Sequence, residues 1–360
     1  MSDANGDTNE TNGVAEIRAA APTAIVTGAG GWFGQNLVRT LVRQPGRERV
    51  RCLVATSDEV PRLEVLDAGV EVVQGDVRDP AVIDRLFDGV GRISVFHTAG
   101  VIHPTRGTRE LFDVNVGGTQ LVIDRARRVG ANRFVHVSSN SVYGANASAS
   151  EVFDEGSPFH PYMSYGASKR EAEQIVERAF ERGDLATVVL WPPWFYGPFQ
   201  PDRQTRFFAS IRRGTFPLVA PGTQRRSMVY TGNLVQGALR AEVSERAPGH
   251  GYWIGDAEPY ELQAIIGTVR DALEAEGLAV TRRRPIRVPR AAAQLAERID
   301  GALQAAGRYS QAIHVLGELK DTIACDISRA RKELGYEPTI ELFEGMRASV
   351  RYCLERGLPL

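Results

Sequence analysis

The chain has 360 residues, 43% of them hydrophobic, which is ample for a large core in one α/β unit or two linked lobes. Its 43 basic and 44 acidic residues leave a net charge of −1, which offers no sequence-independent hold on nucleic acid or an anionic membrane. Three widely spaced cysteines, Cys52, Cys325 and Cys353, argue against a disulfide framework or a zinc site and for free thiols in a reducing compartment.

No apolar run approaches the roughly 18 residues of a membrane span. Residues Met1 to Ala20 are polar and acidic, without the basic start and apolar centre of a signal peptide. They read as a disordered leader on a cytoplasmic protein.

The first strong pattern follows. Ala24-Ile25-Val26 is a short apolar strand, Thr27 to Gly34 is a glycine-rich turn, and Gln35 to Val42 has helical spacing. Glycines let the backbone approach a diphosphate, and a helix N-terminus supplies free N–H groups and positive dipole, so this setting predicts a dinucleotide cradle. A second strand, Val50 to Ala55, runs into Thr56-Ser57-Asp58. No arginine sits at its tip for a 2′-phosphate, and Asp58 inclines the reading to NAD with NADP open. Val70 to Asp76 is a third strand. Asp76 suits either the adenine amino group or the cap of the helix beginning near Pro80.

Ile93 to Gly100 is a fourth strand ending in the small residues Thr98, Ala99 and Gly100 beside the expected cofactor. His97, at its end, reads as a structural hydrogen-bonder. Leu111 to Val129 is an amphipathic helix interrupted by Gly117-Gly118. Arg133 to Ser139 is a fifth strand ending in two hydroxyls, and Ala186 to Trp191 a sixth. Between them lies a helix carrying Tyr165 and Lys169, four apart and so on one face. A free tyrosine titrates near 10, and a cation one turn away favours its phenolate, so the pair suits proton exchange with a hydroxyl.

Short apolar strands alternating with helical segments predict an α/β fold, a Rossmann-type doubly wound parallel sheet with a smaller C-terminal substrate lobe. Residues 21–195 are expected to form the NAD(P)-binding domain, with 226–255 contributing. Residues 196–225 and 256–360 are expected to form the lobe. Trp191 to Pro198, dense in aromatics and prolines, reads as a loop. Tyr252 to Ile254 reads as a further strand.

Six motifs now stand in order: Gly28-x-x-Gly31-x-x-Gly34, Gly75-Asp76, His97-Thr98-Ala99-Gly100, Asn115-Val116-Gly117-Gly118-Thr119, Ser138-Ser139-x-x-Val142-Tyr143-Gly144 and Tyr165-x-x-x-Lys169. Together they resemble the extended short-chain dehydrogenase/reductases, the NAD-dependent epimerase/dehydratase family, across roughly residues 23 to 200. The resemblance implies Tyr165 as general acid/base and Lys169 as the residue that binds the nicotinamide ribose and lowers the tyrosine pKa. It implies that Ser139 holds the reacting oxygen. The implied cofactor contacts are Gly28, Gly31, Trp32, Phe33, Gly34, Asp76, Val77, Thr98, Ala99, Gly100, Asn115 (mainly structural), Tyr165, Lys169 and Pro192. Implied substrate contacts are Ser139, Asn140, Trp194 and Arg226. No metal and no nucleic acid are expected; a small-molecule substrate and a homodimer are.

Two substrate classes follow. Arg226 falls where the sugar branch places an arginine against a nucleotide diphosphate. Trp191 and Trp194 replace an arginine or asparagine common in that branch, and with Phe195 and Phe199 they suit an apolar pocket. Tyr252 to Pro259 resembles the 3β-hydroxysteroid dehydrogenase-like branch. A protein keeping the cofactor without the chemistry is a third reading, against which Ser139, Tyr165 and Lys169 all stand.

Overall fold

A computed structural model describes residues 17–67, 69–281 and 286–360. The leader expected over residues 1–20 lies outside them up to residue 16. Residues 17–20 are not loose: Ile17 is buried, its carbonyl accepts from the Gln44 side chain, and the Ala19 N–H donates to the Pro45 carbonyl.

Six strands alternate with helices in chain order: β1 (Thr23–Thr27), β2 (Arg49–Val54), β3 (Glu71–Gln74), β4 (Ile93–His97), β5 (Arg133–Val137) and β6 (Thr187–Trp191). A seventh strand, His250–Trp253, comes from beyond the proline-rich break and pairs in parallel with β6. The sheet order is seventh, β6, β5, β4, β1, β2, β3, all parallel. Every residue of β1, β4 and β6 is buried, as expected of parallel strands covered on both faces. The strand order reverses between β1 and β4. That switch point opens a crevice beyond the carboxyl ends of the strands, where such sheets bind ligands.

Two expected elements differ. Within the predicted helix Leu111 to Val129, the stretch Asp113–Gly118 is a π-helical turn between helices Arg109–Phe112 and Thr119–Arg128. Gly118 is pressed on Val77: a Cβ there would lie 2.7 Å from a Val77 methyl. In the proline-rich stretch, Trp194–Tyr196 is not loop but a short strand parallel to Met228–Tyr230. Both find partners only through residues distant in sequence.

The buried apolar residues form two clusters. One spans the sheet and its helices and takes in Ile327, Ala330, Leu334 and Tyr336 from near the C-terminus. The other gathers Tyr196, Phe208, Leu262, Val269, Met346 and Val350 with their neighbours.

Arg47 ties the sheet's margin together. It donates to the Ala21 carbonyl, to Gln44 and to both oxygens of Glu242, and neither charged side chain is more than 1% exposed. Removing one partner strands the other charge in the interior. Glu242→Ala is therefore expected to cost about 3–5 kcal/mol, measured by urea unfolding against the parent chain.

Candidate active site

The glycine turn is shaped by close backbone approach. Gly28 has φ +69°, and a Cβ there would sit 2.7 Å from the backbone of Ala99, beyond β4. A Cβ on Gly34 would lie 2.2 Å from the Gly28 carbonyl oxygen. The helix Trp32–Leu41 starts at Gly31 with no side-chain cap and no acid in its first turn. Its N-terminal N–H groups and dipole therefore face the cleft ungated, as an anion cradle requires. The Trp32 indole donates to the Pro198 carbonyl at 2.8 Å, and Asn36 to the same carbonyl at 3.0 Å, so the turn is clamped to the segment after the Trp194 strand.

The cleft above this turn has a volume of about 690 Å³. Gly28, Gly31, Trp32, Phe33 and Gly34 line it at one end, and Thr98, Gly100, Tyr165, Lys169 and Pro192 toward the other. These residues suit a dinucleotide. Ala99 lies behind, against Gly28. Three further expected contacts do not line it. Asp76 is held by Arg78 through its side chain and its N–H. Val77 is buried on Gly118. Asn115 is a brace: it accepts from the Val101 N–H at 2.7 Å and donates to Val101 O and Ser168 Oγ. Asp58, expected to favour NAD, does not line the cleft but pairs with Arg62, which does, and its neighbour Glu59 faces the cleft.

Tyr165 stands where this cleft meets a second cavity of about 560 Å³. Its helix, Met163–Glu181, starts under two restraints. Ser164 N–H donates to Gln304, and Gly166 presses on the loop after β5, where a Cβ would lie 2.3 Å from Ser141 O. That contact sets Tyr165 near Ser139, whose hydroxyl donates to Asn140 and Ser141. Burial pushes the phenol up to about 12, while the Ser139 hydroxyl and the charge of Arg203 pull it down.

Lys169 turns its ammonium to the end of β5: it is buried, donates to Val137 O at 3.0 Å, and is pushed down to about 8 by burial, against the opposing pull of Glu173. Arg203 is a cation that pulls the phenol down. Beneath Lys169, His97 bonds Thr27 and Thr119 at 2.7 and 2.8 Å and is driven by burial to about 3. It is a neutral strut, as its place at a strand end suggests.

The second cavity is mainly apolar, with Trp194, Phe195, Phe207, Phe216, Leu316 and Leu319 in its wall. Ser139 and Asn140 face it from the β5 end. Trp191 does not: its ring lies across Gly251, and its indole donates to Glu173 at 2.8 Å in the core. Phe199 faces the first cleft and packs on Tyr352. Arg226 does reach the second cavity, but its guanidinium pairs with Glu318 at 3.2 Å and also bonds the Glu318 carbonyl. Sequence reasoning missed Glu318, Arg203 and the helix Gln311–Glu318 as builders of this wall. No motif marks them.

The sequence from residue 24 to 255 matches the NAD dependent epimerase/dehydratase family. The chain belongs to this family, within the extended short-chain dehydrogenase/reductases. It is 38% identical over 96% of its length to the uncharacterised protein y4nL of Sinorhizobium fredii, covering 98% of that protein. It is 30% identical over 90% of its length to 4-hydroxy-2-methyl-3-oxo-4-farnesyl-3,4-dihydroquinoline-1-oxide ketoreductase of Stigmatella aurantiaca, covering 94% of it. To 3 beta-hydroxysteroid dehydrogenase/Delta 5-->4-isomerase of Mycobacterium tuberculosis it is 30% identical, over 72% of each chain. The dTDP-glucose 4,6-dehydratase DesIV of Streptomyces venezuelae, solved with NAD bound, superposes with a TM-score of 0.73 at 26% identity, over 93% of this chain and 98% of that one.

In this NAD-dependent enzyme, the direction of the tyrosine shift has a kinetic consequence. A phenol above 10 is protonated at neutral pH and can donate, so ketone reduction is expected to be flat with pH near 7. Alcohol oxidation, which needs the phenolate, is expected to rise with pH through the alkaline range. Both profiles are read from kcat. Tyr165→Phe is expected to lower kcat in both directions by roughly 10²–10⁴-fold.

Proposed function

We propose that this NAD-dependent enzyme interconverts a secondary alcohol and ketone on a substrate with an apolar body, using Tyr165 as proton donor and acceptor. The observation that carries the reading is the Arg226–Glu318 pair. A diphosphate needs a guanidinium with its charge to offer. Here that charge is neutralised within the protein, in a cavity with Trp194, Phe195, Phe207, Phe216, Leu316 and Leu319 in its wall. The ketoreductase and hydroxysteroid dehydrogenase relatives, whose names specify a farnesylated quinoline and a steroid, support the same class.

The roles follow from position. Gly28, Gly31, Trp32 and Phe33 would hold the dinucleotide's diphosphate at the helix N-terminus, and Lys169 and Tyr165, farther along the cleft, would hold its nicotinamide part. NAD supplies the hydride acceptor of oxidation and, reduced, the donor of reduction. Ser139 orients the substrate oxygen toward Tyr165. In reduction Tyr165 gives that oxygen its proton; in oxidation it takes the proton away. The aromatic wall keeps water from the reacting carbon.

A nucleotide-activated sugar is the second reading. Arg226 falls at the position the sugar branch uses, and the dTDP-glucose dehydratase resembles the whole chain. Thermal shift separates the two. With NAD present, hydroxysteroids or prenylated ketones are expected to raise the melting temperature, whereas UDP, dTDP and their sugars leave it unchanged. A shift with the nucleotides alone would reverse the assignment.

The proposal also takes the protein as a cytoplasmic homodimer. No helix among the described residues is long and apolar enough to cross a membrane. The three cysteines are buried and free. Leu295 and Ile299, 58% and 44% exposed, share one face of the helix Arg290–Ala305, an apolar face suited to a partner. Light scattering is expected to return twice the monomer mass. Leu295→Glu with Ile299→Glu is expected to return a monomer if that face forms the contact.

A further inference from the structure

The wall between cleft and cavity holds a second arginine that the reaction outlined above does not use. Arg203 is the second residue of the helix Asp202–Arg212 and lines both spaces, as Tyr165 does. Its guanidinium sits 5.9 Å from the centre of the Trp32 ring. Among the described residues it has no hydrogen bond and no ion pair, and the groups that favour its charge are two phenols, Tyr165 and Tyr309. Arg226, in the same cavity, is matched by Glu318. Arg203 is desolvated without a carboxylate to compensate it.

Burying a cation without a counter-ion is costly, and a fold that keeps one leaves room for an anion from outside. The neighbours do not fill that place. His103, whose Nδ1 is 2.5 Å from the Tyr309 hydroxyl, is driven by burial and by the Arg203 charge to about 4, and so stays neutral. Tyr309 is itself pushed above its ordinary value by burial. Arg203 also acts on the Tyr165 phenol. An anion held by it would therefore sit close to the reacting carbinol, not at the far end of the substrate.

We propose that Arg203 is a specificity residue that receives a carboxylate carried near the reacting carbon of an otherwise apolar substrate. The preferred substrate class is then a hydroxy or keto acid with a large apolar body. This inference rests on the apolar-substrate reading and sharpens it. A guanidinium can take a carboxylate through two parallel N–H bonds, and Trp32 packs on its face.

The test uses matched probes, 3-hydroxydodecanoate and its methyl ester, titrated calorimetrically into the full chain loaded with NADH, on which an alcohol binds without turnover. The acid is expected to bind roughly 10- to 100-fold more tightly than the ester. The ratio is expected to fall to near one in Arg203→Leu and to survive in part in Arg203→Lys. In the parent chain it is expected to shrink as salt is raised, a readout that needs no variant. Equal binding of acid and ester, or an unchanged ratio in Arg203→Leu, overturns the proposal and leaves the apolar reading standing. A loss of NADH affinity in Arg203→Leu with the acid preference intact assigns the guanidinium to the cofactor's diphosphate and also overturns it. Binding of neither probe sinks the apolar reading, and this inference with it.

Discussion

The site depends on one close approach, that of Gly28 to Ala99. The two residues belong to loops beyond neighbouring strands, β1 and β4, between which the sheet's order reverses. A side chain at Gly28 would overlap the Ala99 backbone, and one at Gly34 would overlap the turn itself. The missing Cβ atoms bring a helix N-terminus down to the sheet, and its free N–H groups form the cradle. Trp32 and Asn36 then fasten that cradle to Pro198. The cofactor cleft and the lobe that carries the substrate cavity are thereby held in one frame.

Electrostatics at Tyr165 are set by burial more than by its sequence neighbour. The Tyr-x-x-x-Lys spacing places two groups on one helix face, but a side chain that long chooses its partner in three dimensions. Lys169 turns to the Val137 carbonyl. The phenol, between two cavities, loses solvent and rises. The cation that opposes this rise comes from Arg203, thirty-eight residues on. Proton donation at neutral pH is the natural outcome of that balance.

At the substrate end three arginines, Arg203, Arg206 and Arg226, line the cavity. Arg226 occupies the position associated with diphosphate recognition, yet Glu318 from the C-terminal helices cancels it. Arg203 lines both the cavity and the cofactor cleft, as Tyr165 does. Aromatic and aliphatic side chains share the rest of the wall with hydroxyls and amides.

Much of this enzyme was legible in the amino-acid order. Short apolar runs, glycine spacing and the Tyr165–Lys169 pair are local patterns. Local geometry alone is enough to place them on strands, a turn and one helix face. They foretold the parallel sheet, and Ser139, Tyr165 and Lys169, which they single out, lie along the cleft and cavity. Other features had no local signature. Asp76 and Asp58 each found an arginine two to four residues away, so their carboxylates were spent outside the cleft. Trp191 went into the core because a glycine on the seventh strand left room for its ring. Glu318 meets Arg226 across ninety-two residues, and among the described residues no carboxylate pairs with Arg203. Pairing and burial of charge are properties of the packed chain. The sequence by itself determined the fold and the reaction type, and tertiary packing decided which charges remain to greet the substrate.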